Sequence, residues 1–311
     1  MSAEVEDEIE DEVEVETDVR EIFREAGVRG WLHAVPVDAP SRRLRDREVR
    51  VGADTPVVMA SVYKIVLLVA FCRAADAGDL DPREPVTVEP DRRTVGPTGL
   101  SALADPVTLS WRDLATSMIT VSDNAAADVI LERLGSHRLR AVLDDLGLTA
   151  THIRGGTADV HRSLVADTGT DDVTAAFAAL TDNDAPATVR ALDPAYGSAT
   201  TPSDMTRLLT ALWRGETASA AQTSFARQLL RAQIWPHRLR AGFPTADVAG
   251  KTGTLAAIRN EIGVVTFDEE YPVAVAVFTH AARADTAVPR ADAAIAQAAR
   301  RAVTVLRCAR L

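Results

Sequence analysis

The segment Ile65-Val66-Leu67-Leu68-Val69-Ala70-Phe71 contains no polar residue. A run this apolar has no face to offer water, so it predicts a helix buried on all sides, with other elements layered around it. The residues before it are unusual for such a helix. Met59-Ala60-Ser61-Val62-Tyr63-Lys64 brings a hydroxyl and an ammonium group to its N-terminal end. Ser61 and Lys64 are three positions apart, which at helical spacing places them on one face with roughly 5–6 Å between Cβ atoms. A hydroxyl beside an amine in an apolar setting is a nucleophile next to a candidate base.

Lysine usage points the same way. The chain has 34 Lys and Arg residues, yet only Lys64 and Lys251 are lysines. A guanidinium group keeps its proton in proteins, whereas a desolvated amine can release it. Two lysines kept in a chain that otherwise uses arginine suggest chemistry that arginine cannot perform. The second lies in Gly250-Lys251-Thr252-Gly253-Thr254.

A chain of 311 residues can bury a large core, as one domain or as two lobes. Its formal net charge of -11 is concentrated at one end, where residues 1–25 hold twelve acids against Arg20 and Arg24. Such a stretch predicts a solvated, disordered acidic tail over 1–18, followed by a folded domain over 19–311 whose charges nearly balance. The first hydrophobic helix face is expected at Val19, Ile22 and Phe23. No basic stripe marks a nucleic-acid partner. The N-terminus is acidic where a secretory leader would be basic and then apolar, and the longest apolar run is too short to cross a bilayer. These features predict a cytoplasmic protein without membrane contact. Cys72 and Cys308 have no metal-binding spacing and are expected to be reduced, buried thiols. The six histidines (His33, His137, His152, His161, His237 and His280) show no ligand spacing, and no glycine-rich nucleotide loop is present. No metal or cofactor is therefore expected. The tryptophans read as core.

In chain order, strands are expected over 30–37 and 47–53, and the buried helix from Ser61 to a glycine cap at Gly78. Ser110-Trp111-Arg112-Asp113 is a capping-box pattern opening a helix. That helix halts at Val121-Ser122-Asp123-Asn124, where a second helix begins, so Ser122 and Asn124 are mounted on a turn between two helices. Residues 149–197 read mostly as loop, with one helix over 171–180. Thr201-Pro202 starts another helix. Three strands then follow, over 248–255, 258–267 and 271–280, and a final helix over 289–308. The predicted architecture is α/β. An antiparallel sheet lobe is built from both termini (about 28–55 and 247–311), and an all-helical lobe (about 56–246) is inserted between its halves.

Ser61-x-x-Lys64, Ser122-Asp123-Asn124 and Lys251-Thr252-Gly253, in this order and on these elements, resemble the motif set of class A β-lactamases and the related penicillin-binding serine hydrolases. The resemblance covers about residues 28–308 and includes Thr201-Pro202 and Asn260-Glu261. It implies a serine β-lactamase-like fold and a small-molecule substrate: a β-lactam, an ester or a D-peptide-like amide. It also implies a role for each residue. Ser61 is acylated, Lys64 takes the proton, and Ser122 relays a proton to the leaving nitrogen. Asn124 binds the substrate's side-chain amide, and Lys251 supplies positive potential. Thr252, Gly253 and Thr254 line the substrate carboxylate site, with the Ser61 and Thr254 backbone N–H groups as the oxyanion hole. Arg259 falls where some relatives keep a carboxylate-binding arginine.

One departure bears on turnover. Hydrolytic members of that family carry a water-activating glutamate after the Ser-Asp-Asn turn, but this chain has no glutamate between Leu146 and Gly197. Asp159 stands near the expected place and reads as a surface aspartate. The sequence therefore supports three readings. One is a β-lactamase-type hydrolase, another an esterase or D,D-peptidase-like acyl transferase, and the third a covalent penicillin-binding or sensing module.

Overall fold

The computed structural model describes residues 3–182, 188–284 and 288–307, with side chains described from residue 13 onward. Helix α1 (Ala3–Glu25) leads into strand β1 (Val28–Pro36), the short helix α2 (Arg42–Arg45) and β2 (Val49–Val51). Strand β3 (Val57–Val58) precedes the buried helix α3 (Lys64–Asp76), and β4 (Pro85–Val88) and β5 (Val107–Ser110) follow. Next come α4 (Trp111–Thr120), α5 (Asn124–Leu134), α6 (Ser136–Asp145), α7 (Thr157–Thr168) and α8 (Val173–Thr181). Strand β6 (Ala199–Thr200) then precedes α9 (Pro202–Arg214), α10 (Ala220–Arg231) and α11 (Leu239–Gly242). The last elements are β7 (Asp247–Leu255), β8 (Ile258–Thr266), β9 (Val273–Ala281) and α12 (Pro289–Leu306).

The main sheet has the order β2-β1-β9-β8-β7, and every neighbouring pair is antiparallel. N-terminal and C-terminal strands meet at β1–β9, so the sheet is made from both ends of the chain, as expected. Side chains alternate across it. Val273, Val275 and Val277 face a core shared with α1 and α12, while Ala274, Ala276 and Phe278 face the helical core around α3. Both faces are covered, which is why β9 reads as a nearly continuous apolar run. The inserted segment is helical apart from two short ladders, β3–β6 and β4–β5. Within it α3 is sealed, and Ile65 through Leu68 have no exposed surface.

Two expectations need correction. Residues 1–18 are not a disordered tail through Asp18, because α1 begins at Ala3. Val15, Val19 and Phe23 recur at helical spacing and are buried against the sheet and α12. Phe23 lies over Gly30, where any Cβ would collide with its ring. Arg301 of α12 meets Asp18 at 2.7 Å, which offsets part of the acidic charge. The twelve acids concealed a narrow apolar stripe. The segment after Leu146 is also more ordered than expected, because α7 lies within it. Asp172 N-caps α8 by accepting from Ala175 N. Cys72 is a buried free thiol, while Cys308 lies outside the described residues.

Candidate active site

Ser61 sits in the single 3-10 turn Ala60–Tyr63 that joins β3 to α3. Residues i and i+3 eclipse in such a turn, so Ser61 and Lys64 share one side more directly than in an α-helix. Ala60, just before Ser61, has φ +46°, a left-handed conformation that an alanine holds only when its surroundings enforce it. Those surroundings are visible. Asn260 of β8 donates Nδ2 to Val58 O (2.9 Å) and Met59 O (3.2 Å). Gly253 of β7 passes so close that a Cβ there would lie 2.7 Å from Met59 O. The glycine is needed for this approach, which brings β7 against the turn carrying Ser61.

Lys64 has no exposed surface, and its ammonium group is fully partnered. It donates to Ser122 O (2.7 Å) and Asn124 Oδ1 (2.9 Å), with Ser122 Oγ at 3.5 Å. Burial lowers its pKa to about 7, against the opposing fields of Asp123 and Asp128. Lys251 is equally buried and donates to Ser122 Oγ (2.8 Å) and Thr252 O (2.9 Å). Its pKa lies well below the ordinary lysine value, first through burial and then through the Lys64 charge. Ser122 Oγ thus lies between two desolvated amines, a geometry suited to proton relay.

The Ser122 turn is held by Asp123. Ser122 itself is left-handed, with φ +61°. The Asp123 carboxylate has no exposure and N-caps α5 through Ala126 N (3.2 Å). It also accepts from Leu100 N (2.7 Å), Ser117 Oγ (2.8 Å) and Ser101 Oγ (3.2 Å). A buried carboxylate satisfied four ways fixes the turn that aims Ser122 and Asn124 at Lys64.

Behind β7, Gln233 Oε1 accepts from Thr252 N (2.7 Å). Gln233 Nε2 donates to Glu261 (2.8 Å), and Leu239 N donates to the other Glu261 oxygen (2.8 Å). Burial raises the pKa of Glu261. Arg259 directs Nη1 to the Ala256 and Ile258 carbonyls at the β7–β8 turn. Arg238 also brings a guanidinium to Thr254, donating to Thr254 Oγ1 (2.9 Å), Gly253 O (3.1 Å) and Asn260 O (2.8 Å). Asp292 of α12 anchors it. No motif marks Arg238 in the sequence; only the fold brings it to β7.

Helix α7 forms another part of the surroundings. Asp128, one turn beyond Asn124 on α5, accepts from Thr157 N and Ala158 N (2.8 Å each). Thr157 Oγ1 lies 3.5 Å from Asn124 Oδ1 and 3.2 Å from Tyr63 OH. Asp159 accepts from Gly156 N (2.9 Å) and pairs with Arg162, so it serves the helix start as a half-exposed cap. Among the described residues no group of three His, Cys, Asp or Glu side chains could hold a metal ion, and no helix is long and apolar enough to cross a membrane.

Comparisons with known proteins agree with this geometry. The chain is 29% identical over 271 residues to the beta-lactamase regulatory protein BlaB of Streptomyces cacaoi, covering 82% of this chain and 87% of that one. Its fold is similar to that of a variant class A β-lactamase of the last common ancestor of Gram-negative bacteria, with TM-score 0.75, 25% identity and coverage of 94% and 98%. It is also similar to a PBP-A mutant solved as an acyl-enzyme complex with penicillin G, with TM-score 0.73, 22% identity and coverage of 93% and 94%. The profile of the beta-lactamase enzyme family matches residues 14–306. With nearly the whole described chain inside that match and an active-serine motif set on the family's fold, this protein belongs to the beta-lactamase enzyme family and is a serine hydrolase of β-lactamase type.

Proposed function

We propose that Ser61 is the nucleophile and that acylation runs through the two buried amines. The carrying observation is Ser122 Oγ, held 2.8 Å from Lys251 Nζ and 3.5 Å from Lys64 Nζ. Lys64, with its pKa near 7, takes the Ser61 proton as Oγ adds to the substrate carbonyl. The Ser61 and Thr254 N–H groups receive the developing oxyanion. The C–N or C–O bond then breaks, and Ser122 gives its proton to the leaving atom, its own proton being replaced from the neighbouring amines. Lys251, Thr252, Thr254 and Arg238 bind the substrate carboxylate, and Gly253 leaves room for it. Asn124 binds the substrate's amide with the Nδ2 proton not used on Val95 O.

The substrate is a small β-lactam or a related amide or ester. A second reading has one observation in its favour. Thr157, not a carboxylate, lies beside Asn124, the acceptor that holds Lys64. Slow release of the acyl group would make the protein a covalent sensor, and the Streptomyces cacaoi relative is named as regulatory. The two readings separate when the protein is mixed with benzylpenicillin and a chromogenic cephalosporin and followed by absorbance and intact mass. Turnover without a lasting adduct supports the hydrolase, and a persistent adduct on Ser61 supports the sensor. Adducts or turnover unchanged in Ser61→Ala would sink both.

A further inference from the structure

With no glutamate available after the Ser-Asp-Asn turn, the nearby candidates for a water-activating base can be taken in turn. Asp159 is spent on Gly156 N and Arg162. Asp128 is spent on Thr157 N, Ala158 N and the Thr94 hydroxyl. Asp123 is buried with four donors, and Glu261 lies behind β7. Asp167, near the end of α7, is spent on Arg190. The titratable side chain on α7 left outside these networks is His161.

Its placement follows from the helix. Asp128 fixes the first turn of α7 to α5, and Thr157 touches Asn124, the acceptor that holds Lys64. His161 is four residues beyond Thr157, so it projects from the same face with about 5–6 Å between Cβ atoms. Its ring is only partly exposed and stands edge-on against Phe177 of α8, with centroids 5.9 Å apart, which restricts its rotation. We propose that His161 is the general base for deacylation, activating the water that attacks the Ser61 acyl ester.

The step balances. The water oxygen adds to the ester carbonyl carbon while one of its protons passes to the neutral imidazole. The tetrahedral intermediate then expels Ser61 Oγ, which recovers that proton from the imidazolium. A carboxylic acid product and free Ser61 result. Burial lowers the imidazole pKa, and Lys64 lowers it further against Asp128, which favours the neutral form of the ring.

This assignment rests on Ser61 being the acylated residue, so acylation and deacylation are measured separately. Rapid mixing with benzylpenicillin, followed by intact mass, gives the rate of adduct formation and, after removal of excess drug, the rate of its loss. His161→Ala and His161→Asn are expected to acylate within about threefold of wild type and to lose the adduct about 10²-fold more slowly. Added imidazole is expected to restore part of the rate in His161→Ala. Wild-type adduct loss in either variant, or slowing that imidazole leaves untouched, would overturn the assignment. So would a wild-type adduct that never decays, although acylation at Ser61 would then stand. No adduct at all in wild type would reject the proposed nucleophile instead.

Discussion

The Ser122–Lys251 side of the candidate site and the α7 side are built differently. On the first, charged groups are fully buried and tightly partnered: Lys64 between Ser122 and Asn124, Lys251 on Ser122, Asp123 with four donors. On the second, the Tyr63 and Thr157 hydroxyls lie beside Asn124, and the Asp128 carboxylate is occupied in capping a helix. Desolvation tunes the amines on one side, while the other supplies little charge. Under the proposed mechanism, forming the acyl-enzyme and releasing it are served by different surfaces and can be changed independently.

The largest test of that division is Lys64→Arg. A guanidinium keeps the charge but cannot accept a proton, so acylation is expected to fall about 10³-fold in stopped-flow measurements while circular dichroism stays native. Near-wild-type acylation would dissolve the distinction. The next is pH. Lys64 has its pKa lowered to about 7, and in the proposed mechanism it acts when neutral. Acylation is expected to rise about tenfold per pH unit below 7 and to level off above it, and a flat profile from pH 5.5 to 8.5 would count against Lys64. The smallest is Asp128→Ala, which removes the cap from α7. It is expected to lower stability by about 1–2 kcal/mol in chemical denaturation while acylation changes by less than about threefold. Equal losses of acylation and deacylation would mean the two sides act as one.

Most of the residues proposed for acylation could be read from the sequence because the chemistry needs particular groups at short spacing. Ser61 with Lys64, and Ser122 with Asn124, are each fixed by one turn of chain. The sheet was readable because β7, β8 and β9 follow one another with short turns between them, and β9 is a nearly continuous apolar run. Arg238 was not, since it reaches Thr254 only after α11 and β7 pack. Helix α7 was missed because its cap residue is Gly156 and one of its capping partners is Asp128, 28 residues upstream. Helix α1 was misjudged because acid content outweighed the Val15-Val19-Phe23 stripe that buries it.

Both lysines are sealed inside the folded molecule. The native surface therefore offers amine-directed reagents no lysine side chain, and crosslinkers or fluorophores of that class meet the protein largely as an inert body. Only unfolding releases the two primary amines at residues 64 and 251, so their labelling would report the integrity of the catalytic interior directly.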